Sequence, residues 1–175
     1  MRPPPPTMKN RGLTLIELLV VMVIIAVLAA ALYPIVRSVF AKSREAACLE
    51  NLRGLGTAMQ GYLHDHNDTM PELSIGRGSK TEDVPVLDTV LITYAGTAES
   101  FQCPEDKKEF AKSGCSYNWN HLQNGRRASD LYFFGVPEEL IPLISDKEAW
   151  HPGGTNFLNA DLSSSNRPRF VTNTR

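Results

Sequence analysis

Hydrophobic positions along the chain fall into two patterns. Between Leu18 and Val36 no charged residue occurs. At about 1.5 Å per residue, a helix over this run is roughly 28 Å long, close to the hydrocarbon thickness of a bilayer. From Arg37 onward the pattern becomes amphipathic, with Phe40, Leu52, Leu55, Met59, Tyr62 and Leu63 recurring near three- and four-residue intervals. That periodicity predicts one helix that leaves the membrane and continues with a single apolar face. Pro34 is expected to kink it, because an interior proline removes a hydrogen bond. Asn67-Asp68 and then Met70-Pro71 are expected to end it, since a residue before proline is pushed out of helical conformation. A cleaved secretory signal is the alternative reading, with Ala29, Ala30 and Ala31 imitating a small-residue cleavage site. The length of the run, and the helical pattern that continues past it, argue against that reading.

Beyond residue 70 the signals are shorter. Residues 72–83 are rich in Gly, Ser and charge and read as a loop. Val86 to Tyr94 is expected to be a short helix stopped by Gly96, with a strand as the alternative. Strands are expected around Ser116–Trp119, Leu131–Phe134, Leu143–Ser145 and Asn156–Asn159, with turns at Asn124-Gly125 and Pro152-Gly153-Gly154. The fold class is therefore α+β, a long N-terminal helix packed on a small antiparallel sheet. The expected division is a transmembrane helix at 13–36, an amphipathic helix at 37–70 and a globular head at 71–175. The last residues, 163–175, read as only partly ordered.

Composition narrows the function classes. At 175 residues, 42% of them hydrophobic, the chain supports one ordinary domain. The formal charge of -1 presents no basic face, so no nucleic-acid partner is expected. Three cysteines, Cys48, Cys103 and Cys115, contain no CxxC pair, and the histidines are not at ligand spacing, which argues against zinc.

Glu17 is the anomaly, a carboxylate at the start of the apolar run. Such a charge costs on the order of a few kcal/mol at the bilayer centre, and less near an end, so it asks for a partner. Cutting after Gly12 supplies one. The new amine on Leu13 lies one helical turn from Glu17, and in an assembly of parallel helices a neighbour's amine reaches the same carboxylate. The cut would release residues 1–12 as a leader bearing Arg2, Lys9 and Arg11, which stays cytoplasmic by the positive-inside tendency. The alternative is a tolerated interfacial charge.

The stretch from Lys9 to Val21, KNRGLTLIELLVV, resembles the cleavage and methylation signal of type IV pilins and of type II secretion pseudopilins. The resemblance implies that a prepilin peptidase cuts between Gly12 and Leu13 and methylates the new terminus, that Glu17 serves subunit docking, and that Pro34 marks the kink of the helix. Leu13 departs from the usual phenylalanine. Further on, Glu50-Asn51-Leu52-Arg53 with Gly56, Phe101-Gln102-Cys103-Pro104 and Ser116-Tyr117-Asn118 resemble landmarks of a bacterial branch of this family with an H-x9-DG end. His151, Asn156 and Asp161 resemble that C-terminal motif, with Leu162 in place of the glycine.

The resemblance implies a structural subunit of a type II secretion pseudopilus supporting protein export. The alternatives are a type IV pilus subunit for adhesion, motility or DNA uptake, or a membrane-anchored binding domain. Implied partners are the prepilin peptidase, further copies and other pseudopilins in a filament, the inner-membrane assembly platform and the cytoplasmic membrane. The implied location is the bacterial inner membrane, single-pass, with a periplasmic head.

Within an exported head, Cys103 and Cys115 enclose a short loop and are the candidate disulfide, the alternative being two buried thiols. Cys48 reads as a packing residue. Asp146, Asp161 and the carbonyls of the glycine turn offer oxygen donors for calcium, as pseudopilin heads sometimes do, against turn-stabilising hydrogen bonds. His64 and His66 read as a solvated helix end rather than metal ligands. No nucleophile motif such as GxSxG accompanies His151 and Asp161, so no enzymatic activity is expected.

Overall fold

The computed structural model describes residues 14–167. The leader and the processing positions Gly12 and Leu13 lie outside the described residues. Helix α1 spans Leu15–Asp65 and continues through Pro34. The chain divides between Val39 and Phe40 into two units, so the amphipathic half of α1 groups with the head. In the first unit the apolar side chains are exposed, and the membrane-length window has no buried residue.

In the second unit one face of α1 is buried, through Cys48, Leu52, Leu55, Gly56, Ala58 and Met59. These recur at helical spacing, and their apolar face anchors the core. The helix ends where the sequence predicts. Asn67 and Asp68 take left-handed φ values of 53° and 56°, a conformation that Asn and Asp tolerate better than other side chains.

The predicted helix near Val86 is observed as two single-turn pieces, α2 (Leu87–Val90) and α3 (Ile92–Ala95), stopped at Gly96 with φ 81°. A further short helix, α4, covers Glu109–Ser113. Strands β1 (Tyr117–Trp119), β2 (Pro142–Asp146), β3 (Phe157–Asn159) and β4 (Ser164–Ser165) form an antiparallel meander in the order β1-β2-β3-β4. Tyr117, Trp119, Leu143, Ile144 and Leu158 turn inward onto Leu52, Leu55 and Met59, with Phe101, Leu87 and Leu91 closing the core.

Gly56 permits the close approach of α1 and β3. A Cβ built there would lie 3.2 Å from a Leu158 methyl and 3.4 Å from a Leu162 methyl. Leu162 is itself held at φ 63°, in the left-handed region where a glycine carries no penalty.

The strand expected at Leu131–Phe134 is not formed. Gln123, fully buried, fills the ladder position with its side chain: its Nε2 donates to Tyr132 O at 2.9 Å, and Tyr132 N donates to its Oε1 at 3.2 Å. One amide side chain thus satisfies the backbone groups that a neighbouring strand would have paired. The turn at Asn124-Gly125 does form. Asn124 Oδ1 accepts from Trp119 Nε1 at 2.7 Å and Leu73 N at 3.2 Å, which ties the loop 72–83 to β1.

Candidate functional sites

At the start of α1, Thr14 and Glu17 bond reciprocally. Thr14 N and Thr14 Oγ1 each donate to Glu17 Oε2 at 2.8 Å, and Glu17 N donates to Thr14 Oγ1 at 3.3 Å. This is a capping box, which satisfies free backbone donors at a helix N-terminus. Its signal, Thr-x-x-Glu ahead of an apolar run, is present in the sequence, and the reading of Glu17 as a stranded charge overlooks it. Glu17 therefore has a partner on its own chain even before any amine is freed at Leu13.

A second constellation lies inside the head. Cys48 comes from α1, Cys103 from the loop before α4, Asp146 from the end of β2 and His151 from the turn before β3. All four are buried, and one donor atom from each lies within 4.8 Å of the other three. Cys48 Sγ donates to Asp146 Oδ1 at 3.3 Å, Cys103 Sγ lies 3.2 Å from His151 Nε2, and His151 Nε2 lies 3.6 Å from Asp146 Oδ2.

The surroundings hold three of these groups, while His151 Nδ1 is buried without a hydrogen-bond partner among the described residues. Asn156 N donates to Asp146 Oδ2 at 2.8 Å, Tyr117 OH lies 3.6 Å from Cys48 Sγ, and Ser116 Oγ accepts from Cys103 N at 3.0 Å. The neighbouring Cys103 thiol, together with burial, pushes the Cys48 thiol far above its ordinary value. Burial raises Asp146, against the opposing pull of the Asn156 amide. His151 is also raised, because Cys48 and Asp146 outweigh burial.

Comparison with known proteins bears on the first site. The family described as the prokaryotic N-terminal methylation motif matches residues 7–33. The chain carries the type IV pilin and pseudopilin signature. No curated protein and no solved structure matches it. The matched stretch contains Gly12, Leu13 and Glu17, and the signature implies processing by a prepilin peptidase and assembly into pilus-like polymers. Proteins with this motif are structural subunits rather than enzymes. The exposed apolar start of α1 is consistent with a membrane-anchored, single-pass pilin-like protein.

In the head, two sequence expectations are corrected. Cys103 and Cys115 are both free thiols. The Cys103 sulfur faces His151, while Cys115 Sγ donates to Tyr117 O at 3.4 Å, so the two serve separate contacts. Asp146 and Asp161 are not brought together for calcium either. The antiparallel register pairs Pro142 with Asn159 and Ser145 with Phe157, which leaves Asp146 at one end of β2 and Asp161 past the other, more than about 13 Å apart along the strand. Asp161 is exposed and accepts from Ser163 N at 2.8 Å, a turn-stabilising bond.

Of the C-terminal trio, His151 and Asn156 reach the buried constellation and Asp161 does not. His64 and His66 are exposed at the end of α1, with the His66 ring stacked on Tyr62 at 3.8 Å.

Proposed function

We propose that this chain is a pseudopilus subunit of type II secretion, processed between Gly12 and Leu13, methylated on the new terminus, and assembled through α1 into a periplasmic filament that supports protein export. The observation that carries the reading is the methylation motif over residues 7–33 on a helix whose apolar side chains from Leu15 to Val39 are left exposed by the described residues. Apolar surface on that scale is stable only in lipid or against other apolar helices. In the membrane the subunit waits as a single-pass protein; in the filament, further copies, other pseudopilins and an inner-membrane platform replace the lipid. The near-neutral composition favours export over DNA uptake.

Co-expression with a prepilin peptidase tests processing. Intact mass is expected to fall by residues Met1 to Gly12 and rise by one methyl group, and an unchanged mass overturns the reading. Glu17→Ala should leave the protein in the membrane fraction and abolish filament incorporation, measured by crosslinking in sheared fibres. In the source cell, loss of the chain should empty the culture medium of exported proteins while surface fibres persist; the reverse pattern assigns the chain to a pilus.

A further inference from the structure

The buried constellation in the head is costly for a site that only packs. Two thiols, a carboxylate and an imidazole occupy the core beside Tyr117, where apolar residues of the same volume would carry no desolvation penalty. Together they have the chemistry of a metal centre. Thiolate, imidazole and carboxylate are all zinc ligands, with bond lengths of about 2.3 Å to sulfur and about 2.0–2.2 Å to nitrogen or oxygen. A tetrahedron with those bonds sets its donor atoms about 3.3–3.8 Å apart. The Cys48 sulfur lies 3.3 Å from Asp146 Oδ1, the Cys103 sulfur 3.2 Å from His151 Nε2, and His151 Nε2 3.6 Å from the other carboxylate oxygen, Oδ2; with one donor atom from each residue all four lie within 4.8 Å, so small side-chain shifts close the shell.

We propose that Cys48, Cys103, Asp146 and His151 bind one zinc ion in a closed, four-coordinate structural site. The net charge, two thiolates and a carboxylate around a dication with a neutral imidazole, equals that of a Cys3His centre, a common structural arrangement. Outer contacts are already placed: Tyr117 OH can donate to the Cys48 thiolate, and Asn156 N fixes the Asp146 carboxylate. With four protein ligands no position remains for substrate, so the ion holds structure and does no chemistry. It joins α1 to the end of β2 and to two loops that share little regular pairing. The site stands independently of the assembly role, since all four ligands lie in the second unit.

The test uses the full-length chain purified in detergent under reducing, anaerobic conditions. After metal stripping with a chelator, titration with cobalt(II) chloride should saturate at one equivalent. The spectrum should show the intense visible bands of tetrahedral cobalt and a near-ultraviolet thiolate charge-transfer band, both abolished by stoichiometric zinc. A weak octahedral spectrum, or no saturation, overturns the proposal.

As isolated, the chain and its Cys115→Ser variant should each carry one zinc. Cys48→Ser and Asp146→Asn should weaken zinc by more than the roughly 10–100-fold that outer-shell changes cause. Equal zinc in all four proteins means surface binding and overturns the site. So does peptide mapping that finds Cys48 and Cys103 joined as a disulfide in the protein from its native compartment. Because the cobalt spectrum is read on the unsubstituted chain, a variant that fails to fold does not remove the test.

Discussion

The two units of this chain break the ordinary rules of burial in opposite directions. The start of α1 exposes what is usually hidden, with Leu18 at 61% and Ile24 at 52% of full exposure. The head hides what is usually exposed, with the side chains of Asp146 and His151 at 0%. Each departure costs free energy in an isolated chain, and each invites a partner from outside it. For the first unit that is lipid or a neighbouring helix; for the second, a cation fits the donors. The contrast teaches where to look for function, because sites that violate local rules without internal compensation are those at which a partner acts.

Substitutions along the single helix α1 sharpen this contrast. The largest effect is expected from Leu52→Ala, in the buried half. It should destabilise the head by about 2–5 kcal/mol, whereas Leu28→Ala in the exposed half should leave the head's denaturant melt in detergent unchanged. Equal losses from both would mean the halves are one cooperative unit. A charge in the exposed half acts elsewhere. Ile24→Arg should cost about 2.5–3.5 kcal/mol of membrane insertion, seen as a shift from the membrane to the soluble fraction, with the melting of the head unaltered.

The smallest effects come from two glycines two residues apart on α1. Gly56→Ala forces a methyl against Leu158 and Leu162 and should cost about 1–3 kcal/mol. Gly54 has nothing within 4 Å of an added Cβ, so Gly54→Ala should stabilise by about 1 kcal/mol. Thermal melts of the two variants moving in the same direction would contradict the packing of α1 on β3.

Much of the fold is legible in the sequence. The long helix, its end at Asn67-Asp68, the stop at Gly96 and strands β1, β2 and β3 follow from local pattern and turn chemistry, which act over a few residues. What was not legible depends on distant partners. Leu131–Phe134 has strand composition, but Gln123 took the pairing role, and no sequence rule marks a glutamine that will do so.

The buried constellation is harder still. Cys48 and Asp146 are 98 residues apart and Cys103 and His151 are 48 apart, so rules built on short ligand spacings argue against the very residues that meet. The N-terminal signature, by contrast, is contiguous and its processing chemistry is legible in one stretch, although the reading of Glu17 as a stranded charge passes over its capping box.

Leu162 carries a further lesson. Its backbone sits where a residue without a side chain is most at ease, yet its methyl groups cover Gly56 on α1. The two positions have exchanged bulk: the helix gave up a side chain so that the two surfaces could meet, and the turn kept one at the expense of conformational comfort. Glycine at 162 would relax the turn and remove one of the two leucines over the helix, while a methyl added at 56 would still meet Leu158 at 3.2 Å. Made together, the two changes should therefore cost somewhat less than the sum of the single ones, the contact with Leu158 staying unrelieved.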